Sequence, residues 1–535
     1  MTTMASSTRP VSARHFHLLR VTAWGILLMA WGVAHAATLY VDNSCPTSGD
    51  GTTTSCGSNG PFRTIGQAMS NSQLTAGSTL RVRATGISYV EGTLNTPRAG
   101  TASARLTVTR YVGDTGKPVW TRSAATLMLT VDDAFWTFDN IDFTATAAAG
   151  DIARVSAANV SFTNCAFREG GVAVNIFEAG DNTTVDNCIF DGNGNGTTHA
   201  ITTGRSPDPT AYTLTGIQIL NSTFTNGDQD YIQLFQDSAL GCRQATVTGL
   251  IDGNSFTYGA GQGENALDIK TKALVGDPLI VSNNTFTGWN GDGTLGKPVV
   301  IQHCPDYVHF NYNTVNATTT GPGSNTCSSC IGVILSCSEV NGGTGVSGLE
   351  VIGNTFYNVK YAIQTGEGDG FPATGDTILD IKIWNNTASK LRTGGVFHRA
   401  TSDILGGEIR NNLADLSATT NGKALDCGSA AWTVTALIES NNGWYGDSTE
   451  QASCSADDCT GEICDTSDTT GTDPLFTNRA ADDYTLQATS TAINAGINVG
   501  LPFMGAAPDL GAYETTGGPP DTTPPAAPTG LVVTQ

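Results

Sequence analysis

The sequence predicts an all-β protein, a right-handed parallel β-helix with a short N-terminal capping helix. Three observations predict it. An Asn-x-(x)-Phe phrase recurs through the chain: Asn140-Ile-Asp-Phe143, Asn164-Cys-Ala-Phe167, Asn187-Cys-Ile-Phe190, Asn221-Ser-Thr-Phe224, Asn254-Ser-Phe256, Asn284-Thr-Phe286 and Asn354-Thr-Phe356, with weaker copies at Asn313, Asn386, Asn412 and Asn442. Steps between the Phe-equivalent positions run from 23 to 41 residues, the period of a solenoid. Each phrase follows a short β-branched run such as Leu279-Ile-Val-Ser282, with no helical periodicity between copies. Like residues then stack on successive coils, Phe in the core and Asn along a turn. The length in excess of the shortest coil falls in loops, where solenoids carry function.

Taken in order, residues 1–36 read as a secretory signal. Arg9, Arg14 and Arg20 precede the apolar run Val21 to Val33, and Ala34-His35-Ala36 is the cleavage phrase. That run is too short to span a bilayer, and no later segment is long and apolar enough. The secreted product is expected to be extracellular, without a membrane span, and monomeric. Thr38 to Asp42 opens as a strand, and Pro61 to Met69 reads as a short amphipathic helix covering the open end of the solenoid. Residues 37–79 form this cap and 80–446 the β-helix. Residues 447–514 hold a Cys- and Asp-rich loop and a closing phrase that ends Pro508-Asp-Leu-Gly-Ala-Tyr-Glu514. Residues 515–535 are a Gly-, Pro- and Thr-rich linker running into a strand that resembles the start of a fibronectin type III domain.

The formal charge is −22, and removal of the three signal arginines takes Lys+Arg from 26 to 23 against 48 Asp+Glu, giving −25. Such a surface argues against nucleic acid. A polyanionic substrate would settle only where bases or a bound cation gather. The thirteen Cys of an exported chain suggest disulfides. Cys45 with Cys56 staples the N-terminal loop. Cys165 and Cys188 sit on neighbouring coils, either bonded or stacked as buried thiols. Cys327, Cys330 and Cys337 raise a zinc reading that lacks a second ligand pair.

One coil stands out. Gly263-Glu-Asn-Ala-Leu-Asp-Ile-Lys270 holds two carboxylates and a Lys, and Gln302-His303 follows on the next coil. Alternation sends Leu267 and Ile269 inward and Asp268 and Lys270 to one outer face. Asp228 and Asp230 precede the matching strand one coil earlier. Lys270, Lys272 and Lys297 gather in a Lys-poor chain, and Trp289 is placed to stack on a sugar ring. Carboxylates of this kind suit a hard cation, and a Lys beside a bound cation loses its proton more readily and can act as a base.

The opening and closing phrases resemble secreted bacterial parallel β-helix proteins of the pectate-lyase-like superfamily, over nearly the whole mature chain. The marked coil is similar to that of the chondroitinase B and alginate lyase family, polysaccharide lyase family 6. The resemblance implies β-elimination from a uronate, with calcium ligands at Glu264 and Asp268 neutralising the uronate carboxylate, a base at Lys270, and Gln302-His303 in place of an Arg-His pair. Lys270 follows its carboxylate more closely than in that family, and Gln302 stands where an Arg is expected. Family 9 pectate lyases use a Lys beside an aspartate calcium cage, to which Asp228 and Asp230 would correspond. The expected site is therefore Lys270 and His303 as catalytic groups; Trp289, Gln302, Lys272, Lys297 and Arg399 toward substrate; and Glu264, Asp268, Asp228 and Asp230 toward calcium. The expected partner is an acidic polysaccharide. The alternatives are a glycoside hydrolase on the same fold and a non-catalytic adhesive solenoid. Each charged residue also has a plainer reading, as a solvated acid, a turn former or a satisfied strand pair.

Overall fold

A computed structural model describes residues 36–515 except 123–126, 146–149, 193–198, 205–210, 228, 236–244, 259–263, 290–295, 304, 318–329, 337–344, 367–376, 392–394, 400–402, 418–422, 427–433, 447–461 and 465–466. The expected signal segment to His35 and the segment after Thr515 lie outside these residues. The chain winds as a parallel β-helix of three sheets with 17, 14 and 12 described strands. Each coil contributes one strand to each sheet in turn, as in Trp136–Asp139, Asp142–Thr144 and Ala153–Val155. The sheets are parallel throughout. The one antiparallel strand pair named, Phe476–Asn478 with Asp483–Leu486, belongs to the closing segment. Among the described residues no helix is long and apolar enough to cross a membrane.

The Phe column is continuous. Phe143, Phe167, Phe190, Phe224, Phe256 and Phe286 occupy one register position in the second sheet. Their ring centroids are 5.2, 4.9, 4.7, 4.7 and 4.9 Å apart, and all are buried. Offset stacking at the strand spacing adds about 0.5–1.5 kcal/mol per pair beyond burial.

The Asn phrase resolves into two classes that the sequence reading merged. In the four-residue form, Asn140, Asn164, Asn187 and Asn221 have φ of 48–56° and turn the chain from the first sheet into the second. Asn tolerates this left-handed conformation better than other non-Gly residues. In the three-residue form the Asn lies one position later and points inward. Asn254, Asn284, Asn313, Asn354, Asn386, Asn412 and Asn442 are all buried to within 2%. Each carbonyl oxygen accepts both the main-chain and the side-chain N–H of the Asn one coil earlier, at 2.8–3.1 Å between Asn254 and Asn442. Each side chain also donates to a carbonyl of the first sheet, as Asn284 does to Ile251 at 2.8 Å. Ser222 heads the ladder, and Asp468 ends it by accepting from the Asn442 amide at 2.7 Å.

Cys165 and Cys188 occupy the same inward column and are free, buried thiols, with the Cys165 amide 3.3 Å from the Cys188 sulfur. Cys45 and Cys56 are bonded as expected. Cys330 is disulfide-bonded, which removes it as a zinc thiolate, while Cys327 and Cys337 lie outside the described residues. The cap differs from expectation in one respect. Thr38–Val41 pairs with Thr79–Val82 in the first sheet, so the β-helix begins before residue 80. The helix is the single turn Ile65–Met69, capped by Thr64, and the Ile65 amide reaches Glu91 at 2.7 Å.

Asn313→Ala should strip the acceptor from both N–H groups of Asn284, at about 1–3 kcal/mol for each buried group left unpaired. Asn283→Ala, at an exposed turn, should cost about 1 kcal/mol. Urea unfolding of the two variants should rank them in that order.

Candidate active site

The marked coil lies in the third sheet. Leu267–Ile269 pairs with Ile232–Leu234 on one side and Val299–Ile301 on the other, which sets Asp268 between Gln233 and Val300. Leu267 and Ile269 are fully buried in the core, as alternation requires. Asp268 faces outward yet is only 2% exposed. One of its oxygens is ion-paired with the Lys270 ammonium, and the other accepts from the Gln302 carboxamide at 2.9 Å. The Lys270 amide bonds Leu234 and the Gln302 amide bonds Ile269, at 2.9 and 2.8 Å, so Lys270 and Gln302 hold equivalent positions on successive coils. The second carboxamide atom of Gln302, its oxygen, is buried without a hydrogen-bond partner.

His303 follows with φ 61° and is 7% exposed. The left-handed residue ends the strand there and leaves the imidazole within electrostatic reach of Lys270 and Asp268. Burial and the Lys270 charge lower its pKa, against an opposing pull from Asp268, and keep the ring neutral. Lys270 behaves contrary to expectation. Burial pushes its pKa down, but Asp268, Asp230 and Glu264 outweigh burial and raise it. Pairing with a carboxylate favours the ammonium, so the free amine requires release from Asp268.

Asp230 does not stand as an open ligand. It is 1% exposed, and one oxygen accepts both the amide and the side-chain N–H of Asn265, at 3.0 and 2.8 Å. The other accepts from Gln233 at 3.1 Å. Asn265 in turn accepts the Lys297 amide at 2.9 Å. Asp230 thus pins the corner that leads into the Asp268 strand, and burial with the nearby Asp268 and Glu264 charges raises its pKa. His199 adds a ring nitrogen 3.2 Å from the Asp230 carbonyl. Gln233, Asn265 and His199 were missed as site residues. The column made by aligning residues two before each strand of the third sheet contains His199, Asp230, Asn265 and Lys297, and could have found two of them.

Trp289 is corrected as well. It is 1% exposed, donates to the Glu264 carbonyl at 3.2 Å and packs edge-on against Tyr231 and Tyr258. A ring so enclosed has no face for a sugar; it anchors the loop that carries Glu264. Lys272 lies at the bridge to Thr246 and Lys297 at the head of the next coil, both half-buried. Asp228 lies outside the described residues, as does the side chain of Arg399, which ends the strand Gly395–Arg399. Among the described residues no three His, Cys, Asp or Glu side chains are grouped to hold a metal ion. The oxygens of Asp268 and Asp230 are turned to nitrogen donors.

No family model and no curated protein matches the sequence. Among solved structures the chain is similar to pectate lyase Pel9A, at 16% identity over 90% of this chain and 98% of that one, TM-score 0.39. It is also similar to a PL6 family polysaccharide lyase from Pseudopedobacter saltans, at 12% identity over 75% and 90%, TM-score 0.40. A third is the GH136 lacto-N-biosidase from Eubacterium ramulus, at 10% identity over 75% and 67%, TM-score 0.41. At these values the likeness assigns no chemistry to this chain.

Trp289→Ala should act on folding, costing about 3–5 kcal/mol as for other buried Trp truncations. Thermal unfolding would show a large drop; an unchanged midpoint would mean that the ring is free to meet a ligand.

Proposed function

We propose that the protein is a secreted polysaccharide lyase that cleaves a uronate-containing polymer by β-elimination. The observation that carries the reading is the Lys270 ammonium, set on the outer face of the third sheet and clamped with Gln302 about one carboxylate, with a neutral imidazole beside it. In a chain of charge −22, a half-buried cation next to a neutral proton relay is a place where a polyanion can be held and a proton moved.

In this reading the uronate enters against Lys270. Once Lys270 has let go of Asp268 and lost its proton, its amine removes the proton from C5. The electron pair left behind forms the C4–C5 double bond as the C4–O bond breaks. The leaving oxygen takes a proton through His303, whose neutral ring accepts one from water on one nitrogen while releasing that on the other. Gln302 keeps Asp268 oriented through the exchange. Lys272 and Lys297 add positive charge toward the polymer, as would Arg399.

Calcium is part of the proposal. Asp268 and Glu264 would hold it, with Asp228 from the coil before. When bound it would neutralise the uronate carboxylate and so acidify the C5 proton. The carboxylates would have to exchange their present N–H partners for it. Asp230, saturated by three donors, is left out of this set.

Uronate polysaccharides screened with and without calcium should yield one that gives ultraviolet-absorbing unsaturated products. New reducing ends without that absorbance would instead mark a hydrolase. On the substrate found, Lys270→Ala should lose at least about 10²-fold in turnover at a temperature where circular dichroism shows it folded, its unfolding midpoint being lowered by the loss of the Asp268 pair. Near-normal turnover would move the site elsewhere. Calorimetric titration with calcium should give a signal for the wild type and none for Asp268→Ala; equal binding by both would remove Asp268 as a ligand.

A further inference from the structure

The closing segment folds back along the solenoid, over the coils of Asn411, Thr387 and Thr355. Its first part is fixed by ion pairs, Arg479 with Asp415 and Asp473, and Lys390 with Asp482. Its last part, residues 494–515, is seated without an ion pair among the described residues, by Leu510 packed with Leu413 and by hydrogen bonds. The Ile497 amide donates to Asn411 at 2.9 Å and the Asn411 side chain returns a bond to the Ile497 carbonyl at 2.8 Å. The Gly511 amide donates to the Asn411 carbonyl at 2.7 Å, the Ala512 amide to the Thr387 hydroxyl at 2.9 Å, and the Thr355 hydroxyl to Tyr513 at 3.0 Å.

This part is organised about two buried carboxyls. Asp509 is fully buried, and its oxygens take the Asn494 amide at 2.7 Å and the Thr515 amide at 2.7 Å together with the Thr515 hydroxyl. Three donors surround it. Glu514 is 7% exposed, and its oxygens accept two main-chain N–H groups, from Asp509 at 3.1 Å and Met504 at 3.2 Å. Glu514 lines a cavity at the seam between the segment and the solenoid, with Tyr312, Gly353 and Asn385 on the solenoid side and Leu501 and Phe503 on its own. The titratable groups facing it are Asp509 and the Tyr312 hydroxyl; no Lys, Arg or His is among the described residues of the lining. The Tyr312 hydroxyl is buried without a partner, and burial, aided by Glu350, pushes its pKa up to about 12, so it brings no charge.

We propose that the Asp509–Glu514 pair makes the end of the closing segment a pH-controlled clasp, seated on the solenoid in acid and loosened above neutrality. With Glu514 protonated, the pair carries at most the charge of Asp509, beside its three donors. Ionising Glu514 would add a negative charge next to Asp509 in a seam whose described lining holds no cation. Burial, with Asp509 adding to it, pushes Glu514 up to about 7. The sign follows from proton binding. The seated form holds a proton that the open form, with an ordinary Glu, releases near 4.5. Seating is therefore favoured fully below that value and is lost progressively as pH rises through about 7. The gap corresponds to roughly a 10²-fold change in the seating equilibrium.

Native-state hydrogen exchange of the full chain tests this, read at the Gly511 and Ala512 amides and corrected for intrinsic rates. Between pH 5.5 and 8.5 their protection should fall by roughly ten- to a hundredfold in the wild type, most of the fall coming before about 7 and the profile levelling off above it. In Glu514→Gln, which keeps an acceptor for the Asp509 amide, it should not change with pH. The same loss in Glu514→Gln as in the wild type, or constant protection in the wild type, would overturn the proposal. Should Glu514→Gln fail to seat at all, the wild-type profile decides: a fall that levels off near 7 supports the clasp, and a flat profile ends it.

Discussion

The structure depends on the inward Asn ladder. A solenoid coil has no partner of its own and must agree in register with the coils on either side. Stacked Phe rings tolerate small slips, because apolar contact is non-directional. A buried carboxamide does not. Its oxygen must meet two N–H groups of one coil while its nitrogen meets two acceptors on others, and a displaced coil would leave several polar groups unpaired in the core. Once the ladder fixes register on one corner, every other column of the three sheets is fixed with it. That is why Lys270 and Gln302, thirty-two residues apart in sequence, meet about one carboxylate.

The same regularity explains the character of the site. Outward positions of the third sheet stack as closely as inward ones, so a charged side chain there is covered by its neighbours and needs partners from adjacent coils. Asp268 finds Lys270 on its own coil and Gln302 on the next. Asp230 finds Gln233 on its own coil and Asn265 on the next. Burial has two opposed effects on Lys270, removing water from the ammonium and strengthening its attraction to Asp268, and the attraction prevails. A site built this way is closed at rest and opens only by exchanging partners.

Much of the fold was legible in the sequence, because a repeat reports its own architecture. The Phe column, the strand order and the staple between Cys45 and Cys56 follow from spacing alone. What spacing did not separate were the two Asn classes, since Asn at the left-handed turn and Asn one step later read as one loose phrase. Gly253, Tyr312 and Gly353 take that turn position on other coils and hide the distinction further. The marked coil was found, but exposure was not. Trp289 and Asp230 look accessible in Gly-rich text and are enclosed, because what covers them comes from other coils. The closing phrase gave no hint that Asp509 and Glu514 share a seam.

The ladder also has a direction. Every oxygen faces the coil before, so the last carboxamide, Asn442, offers N–H groups that only an acceptor can satisfy. Asp468 supplies one, and its second oxygen takes the Trp444 indole at 3.2 Å. At the other end the column tapers through Ser222 to Cys188 and Cys165, which ask less of their neighbours. In evolutionary terms the chain can lengthen from within. A duplicated coil bearing Asn slots between two others and leaves every bond type intact. It cannot lengthen past Asp468, where a carboxylate acts as a stop signal written into the core.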